Sequence, residues 1–239
     1  MKLLGIETSS DIGSVALKVG EEVDQRLIKT PKEQTLVILP LIEEMLIERN
    51  MCISDLDAVA FGVGPGSFTG IRVATALAQG LGYSASLPLL PVSSLATLAQ
   101  GYKKYVSEYK VLVCIDAKMN EIFWGMYNIN QGVAFPLIDE KLSRPKDIFV
   151  LDDSSYICIG NAFKIYDDLL SDITSKADRI FSDSRPYAKD LFPKAILDYE
   201  KGLNLNPGDI IPNYFRDCLL YTSPSPRDQR GSGMAAGGG

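Results

Sequence analysis

Lys2 to Ile6 is a short apolar run of the kind that fills a strand buried on both faces. It gives way to a polar turn, Glu7-Thr8-Ser9-Ser10-Asp11-Ile12-Gly13, after which Ser14 to Val19 resumes as a strand. Gly20-Glu21-Glu22 turns the chain into a third strand, Val23 to Ile28. Thr30-Pro31-Lys32-Glu33 predicts a helix start, with Thr as N-cap, Pro at the first helical position and Glu closing a capping box. That helix runs to about Arg49, with Pro40 kinking it or confining its regular part to the later turns. The strand Asp57 to Gly62 leads into Gly62-Val63-Gly64-Pro65-Gly66-Ser67-Phe68-Thr69-Gly70-Ile71-Arg72. A helix rich in small residues follows over Ile71 to Tyr83, then a strand at Leu89 to Val92 and a helix at Ser93 to Tyr105.

The pattern then restarts. Val111 to Asp116 is again an apolar strand ending in an acid, 109 residues after the strand that ends at Glu7 (116 − 7 = 109). A polar turn and an alternating strand, Ile122 to Tyr127, come next. Tyr156 to Ile159 reads as a strand, and Ala162 to Leu170 and Ala188 to Lys201 as helices. A recurrence near half the chain length predicts a duplicated α/β unit, with subdomains over 1–107 and 108–217. From Cys218 to Gly239 the chain is short of core-forming residues and resembles adapter-derived translation, so this segment is expected to be disordered and is left out of the fold.

Composition narrows the chemistry. The 239 residues are 46% hydrophobic and 23% charged, as in a soluble globular protein. Lys and Arg number 24 against 30 Asp and Glu, a net charge of −6 that gives the chain no reason to hold nucleic acid alone. There is no histidine, which excludes His-containing zinc sites, Ser-His-Asp triads and imidazole bases. Any metal must be a hard cation such as magnesium, held by carboxylates. Cys52, Cys114, Cys158 and Cys218 form no CxxC pair, so at least the first three are expected to be buried thiols. No signal-peptide or membrane-spanning pattern is visible, and the expected location is the cytoplasm.

Three features carry candidate chemistry. Thr8, Ser9, Ser10 and Asp11 follow a strand end, where hydroxyls and backbone N–H groups can meet a phosphate and carboxylates can orient hydrated Mg²⁺. Asp116 is expected to face them across a cleft. The same residues also make an ordinary polar turn that satisfies its own backbone. The loop of Gly64, Pro65, Gly66, Ser67, Phe68, Thr69, Gly70 and Arg72 is no Walker A motif, because Ile71-Arg72 stands where Lys and Ser or Thr are required. It offers a helix N-terminus to an anion or a partner's carboxylate, or it is a tight turn that needs glycine for close packing. In the following helix Ala74, Ala78 and Gly82 recur every four residues, as do Ala76 and Gly80, with Leu81 beside them. A stripe of this kind lets a neighbour approach closely, either the chain's own first helix or another subunit.

Four strings in order are informative together: Gly5-Ile6-Glu7-Thr8-Ser9-Ser10, the loop Gly64 to Arg72, Pro91-Val92-Ser93-Ser94-Leu95, and Ile115-Asp116-Ala117-Lys118-Met119-Asn120-Glu121-Ile122. Over Met1 to about Asp217, where Tyr214-Phe215-Arg216 resembles the family's closing Tyr-Leu-Arg, the chain resembles the TsaB (YeaZ) family. This family is the partner subunit in bacterial synthesis of threonylcarbamoyladenosine at tRNA position 37. The resemblance implies the actin/Hsp70/sugar-kinase (ASKHA) fold, two related α/β subdomains. It implies no catalytic residues here, since the related subunit TsaD holds the metal through a His-x-x-x-His motif. It further implies a heterodimer with a TsaD-like subunit through a helical bundle, to which Ala74, Ala78, Leu81 and Gly82 are assigned, and recruitment of a TsaE-like ATPase. tRNA is engaged only through that complex, ATP, ADP and magnesium enter only there, and the isolated chain is open to homodimerise.

Two departures stand out. Glu33-Gln34-Thr35 replaces a His-Ser pair common in the family, and the native ending is replaced from Cys218. A stand-alone ATPase or kinase of the same superfamily is the alternative, although the second half has no Gly-rich adenosine segment. A peptidase lacks any visible nucleophile–base pair.

Overall fold

In a computed structural model, residues 1–29, 34–103, 110–150 and 155–210 are described. The predicted helix cap at Thr30 to Glu33, the end of the helix predicted to Tyr105, and the tail from Cys218 lie outside them. The first half comprises β1 (Lys2–Glu7), β2 (Gly13–Val19), β3 (Glu22–Ile28), α1 (Gln34–Ile47), β4 (Ala58–Gly62), α2 (Phe68–Ala85), β5 (Leu89–Val92) and α3 (Ser94–Gln100). The second comprises β6 (Lys110–Lys118), β7 (Glu121–Asn130), β8 (Val133–Ser143), β9 (Tyr156–Ile159), α4 (Ala162–Ile165), α5 (Asp167–Thr174), β10 (Arg179–Phe181) and α6 (Phe192–Glu200).

Two five-stranded sheets result, ordered β3-β2-β1-β4-β5 and β10-β9-β6-β7-β8. Read from the hairpin edge, they have the same order and the same sense: two antiparallel pairs, then two parallel ones. The duplication is therefore topological, in the two-subdomain α/β class expected. It does not superpose the two acids. Leu4 and Ile6 pack with Ala74 and Ala78 of α2, so alternation puts Glu7 on the other face, with Leu3. Asp116 shares the face of Leu112 and Cys114, under α4 and α5.

The sequence boundary at 107/108 also separates the sheets less cleanly than expected. Leu95, Leu98 and Ala99 of α3 pack on Val111, Val113 and Tyr127 of the second sheet. In return, Ala188 and Leu191 of a 3₁₀ turn and Phe192 and Ala195 of α6 pack on Leu3, Ala16, Ala58 and Leu90 of the first. Each sheet thus has helices on both faces, one layer lent by the other half of the chain.

Two strands escape the periodicity. The strand β8 carries Pro136 and a charged run at Asp139 to Lys141; it pairs only with β7, and an edge strand tolerates the missing N–H. At the other edge β10 is three residues long. Helix α2 begins earlier than predicted, at Phe68, because Ser67 caps it by accepting from the Gly70 N–H at 3.3 Å. The helix predicted over Ala162 to Leu170 breaks at Tyr166. Cys52 is exposed, contrary to expectation, whereas Cys114 and Cys158 are buried.

The small-residue helix settles its own ambiguity. Ala74 and Ala78 are 0% exposed in the chain's own core, and Gly82 packs against Leu89 and Pro207. The assignment of Ala74, Ala78 and Gly82 to a subunit contact is thereby corrected, and Leu81 packs beside them, partly buried. It is the other stripe, Ala76 and Gly80, that faces outward, flanked by exposed Phe68 and Tyr83. A Cβ at Gly80 meets no neighbour within 4 Å. Ala78→Arg should therefore destabilise the isolated chain by roughly 3–5 kcal/mol, an uncompensated charge in a packed core. Gly80→Ala should stabilise it by about 0.5–1 kcal/mol, as for any exposed mid-helix glycine. Thermal melts of both variants check the inversion.

Candidate functional site

The glycine loop and the first hairpin turn fit together through missing side chains. A Cβ at Gly62 would lie 2.2 Å from Glu7 Oε2, one at Gly66 2.5 Å from the Ser9 carbonyl oxygen, and one at Gly70 1.8 Å from the Thr8 carbonyl oxygen. Gly64, at φ +91°, uses backbone freedom that only glycine has cheaply. The Thr8 hydroxyl donates to the Gly70 carbonyl at 2.7 Å, and the Ser67 N–H donates to the Ser9 carbonyl at 2.7 Å. Of the two readings of this loop, the close-packed turn is the one built here. Its Ser67 N–H and Gly70 carbonyl are engaged by the neighbouring turn, and the Arg72 guanidinium stacks 3.4 Å over the Phe68 ring.

Glu7 is fully buried at the centre of this junction. Its carboxylate accepts from the Ser9 N–H at 2.7 Å and from the Ser94 hydroxyl at 3.0 Å, at the start of α3. Burial raises its pKa above the ordinary carboxylate range, against those lowering bonds. Next to it, Ser93 caps α3 and donates to Glu140 of β8, which also accepts from the Tyr127 hydroxyl at 2.7 Å. Burial raises Glu140 as well. One carboxylate from each sheet thus meets the N-terminal end of α3, where the helix dipole favours negative charge.

Between the two sheets lies a cleft of about 800 Å³. The first half contributes Ser9, Ser10, Asp11, Pro65, Gly66, Ser67, Phe68 and Ile71, and the second Ile115, Asp116, Ala117, Lys118, Phe123 and Asn161. Residues 182–186 complete the wall. The fold brings Ser9, Ser10, Asp11 and Asp116 to one cleft as expected, but Thr8 is buried beneath Gly70 and does not line it.

Both cleft acids expected from the sequence have internal partners. Asp11 receives a two-pronged contact from Arg185, Nε to Oδ1 at 2.7 Å and Nη2 to Oδ2 at 3.0 Å. Arg185 holds the Asp11 carboxyl below its ordinary pKa. Asp116 accepts from Lys118 Nζ at 2.6 Å, from the Lys118 N–H at 2.9 Å and from the Tyr166 hydroxyl at 2.8 Å. Burial opposes its ionisation, but these bonds prevail and its pKa is lowered. Sequence reasoning missed Arg185 and Asn161. Arg185 lies 174 residues from Asp11, after a strand too short to detect, and only the polar run before Pro186 hinted at a turn. Among the described residues, no three His, Cys, Asp or Glu side chains group as a metal ion requires.

If packing decides the glycines, Gly70→Ala should lower the stability of the full chain by about 1–3 kcal/mol or more. For a domain of this size that is a loss of several degrees in melting temperature. A melt unchanged from wild type refutes the close fit.

A family model described as TsaD, tRNA N6-adenosine threonylcarbamoyltransferase, matches residues 29–182. The tRNA threonylcarbamoyladenosine biosynthesis protein TsaB of Escherichia coli (strain K12) is 30% identical over 228 residues, covering 92% of this chain and 97% of the relative. That of Haemophilus influenzae is 30% identical over 230 residues, covering 92% and 96%. Among solved structures, YeaZ from Pseudomonas aeruginosa superposes with a TM-score of 0.80 at 29% identity, over 89% of this chain and 99% of that one. No helix among the described residues is long and apolar enough to cross a membrane. With matches that span both sheets and the junction between them, the chain belongs to the TsaB (YeaZ) family.

Proposed function

We propose that the chain is the scaffold and activating subunit of the complex that transfers a threonylcarbamoyl group to adenosine 37 of tRNAs reading codons that start with A. It does no chemistry of its own in this reading. The observation that carries it is the state of the cleft. Asp11 and Asp116, the acids placed to orient a magnesium–phosphate group, are each engaged by a cation of the same chain. The Ser67 N–H, a loop group suited to a phosphate, donates to the Ser9 carbonyl of the first turn. These residues do not fit a firmly bound nucleotide and metal. A chain without histidine also has no counterpart to the His-x-x-x-His motif that the resemblance gives to TsaD.

The contribution to the complex is a surface. Leu36, Leu39 and Ile47 of α1 are 75%, 48% and 65% exposed, and Tyr83 of α2 is 67% exposed. Their spacing puts the α1 residues on one helical face, and α2, which contacts α1, turns out the Ala76–Gly80 stripe, where small residues admit a close neighbour. This face suits the helical bundle with a TsaD-like subunit, and in its absence a second copy of the chain. A TsaE-like ATPase joins the pair. tRNA is held elsewhere in the complex, in keeping with the charge of −6.

The purified chain should turn over no ATP, and should co-elute with a TsaD-like protein on size exclusion. Gly80→Arg should abolish co-elution while the variant melts no lower than wild type. Steady ATP hydrolysis that tracks the chain through purification and is lost on Asp116→Asn would refute the reading, as would normal co-elution of Gly80→Arg.

A further inference from the structure

Residues 182–187 form a strap that carries the chain from the second sheet back to the first. At its start, the Gly160 N–H and the Ser184 hydroxyl both donate to the Phe181 carbonyl, at 3.0 and 2.7 Å, and Ser184 meets the Tyr102 hydroxyl at 2.5 Å. At its end, the Ala188 N–H donates to the Ser14 hydroxyl at 2.9 Å and the Lys189 N–H to Gln25 Oε1 at 3.1 Å. The first anchor belongs to the second sheet and the second to the first sheet. Between them the strap walls the cleft.

We propose that the Asp11–Arg185 ion pair is a latch that holds this strap on the first hairpin turn and ties the two walls of the cleft to each other. The contact has the geometry of a fixed bridge: two parallel N–H···O bonds from a planar guanidinium to one carboxylate. Arg185 is further oriented by Nη1 donating to the Asp183 carbonyl at 3.1 Å. Clefts between two α/β bodies commonly close around a bound ligand that contacts both sides. Here a side chain on the strap contacts the opposite side directly. The pair also lies at the surface, with side chains 31% and 61% exposed, so it can be broken without unpacking either sheet. An anion entering the cleft meets Arg185 already engaged and gains it only by displacing Asp11.

Hydrogen exchange on the full chain tests the latch. Arg185→Gln and Asp11→Asn should each speed exchange at residues 9–13 and at the hydrogen-bonded amides 188–190 that end the strap at least tenfold, while amides of β1, β4, β6 and β9 keep wild-type rates. The double substitution Asp11→Arg with Arg185→Asp should restore much of the protection by re-forming the pair in reverse. Unchanged exchange in both segments in both single variants overturns the proposal. So does acceleration spread equally over the sheets, which would make the pair part of the core. Should Arg185→Gln fail to fold, Asp11→Asn, at the more exposed partner, decides the matter by the same criteria.

Discussion

Gly62, Gly66 and Gly70 recur every four residues because Glu7, Ser9 and Thr8 occupy the space their side chains would fill. Much of the molecule depends on that seating. It fixes the end of β1 against the start of α2, and it sets the buried Glu7 carboxylate where Ser9 and Ser94 can satisfy it. A buried carboxylate left without such donors would cost several kcal/mol, so the loop, the turn and the start of α3 are specified together. Ser93 and Glu140 extend the same logic into the second sheet.

In the proposed function, this junction takes a glycine-rich strand–loop–helix out of phosphate binding by seating it on the first turn. A phosphate cradle needs outward-facing N–H groups and unpaired charge. Here Ser67 N–H turns to Ser9, and Asp11 and Asp116 are held by Arg185 and Lys118. In the proposed function the polar groups of the cleft serve cohesion, and the surface offered to the complex is the apolar face of α1 and α2, with Leu36, Leu39, Ile47 and Tyr83 exposed.

Much of this was legible in the chain. The two apolar strands that end in acids, each followed by a polar turn and an alternating strand, announced the duplication, and the strand orders bear it out. The cleft set Ser9, Ser10, Asp11 and Asp116 was also readable, since residues at strand ends gather at one edge of a sheet. Periodicity could not say which of two small-residue stripes on α2 faces inward: Ala74–Ala78–Gly82 and Ala76–Gly80 have the same spacing, and only packing chooses between them. Nor could it show that α3 and α6 exchange sheets, because a helix has the same apolar face whichever sheet receives it. Arg185 was invisible for a different reason, as a pairing across 174 residues leaves no local pattern.

The central claim is that the chain serves its complex through a helical surface and not through its own cleft. The most direct measurement is the initial rate of tRNA threonylcarbamoylation in a reconstituted mixture containing Asp116→Asn or Leu39→Glu in place of the wild-type chain. The account predicts that Asp116→Asn supports modification within about twofold of wild type, while Leu39→Glu lowers the rate at least tenfold at equal concentration, an effect of roughly 1.4 kcal/mol or more. Loss of activity in Asp116→Asn with full activity in Leu39→Glu would contradict it.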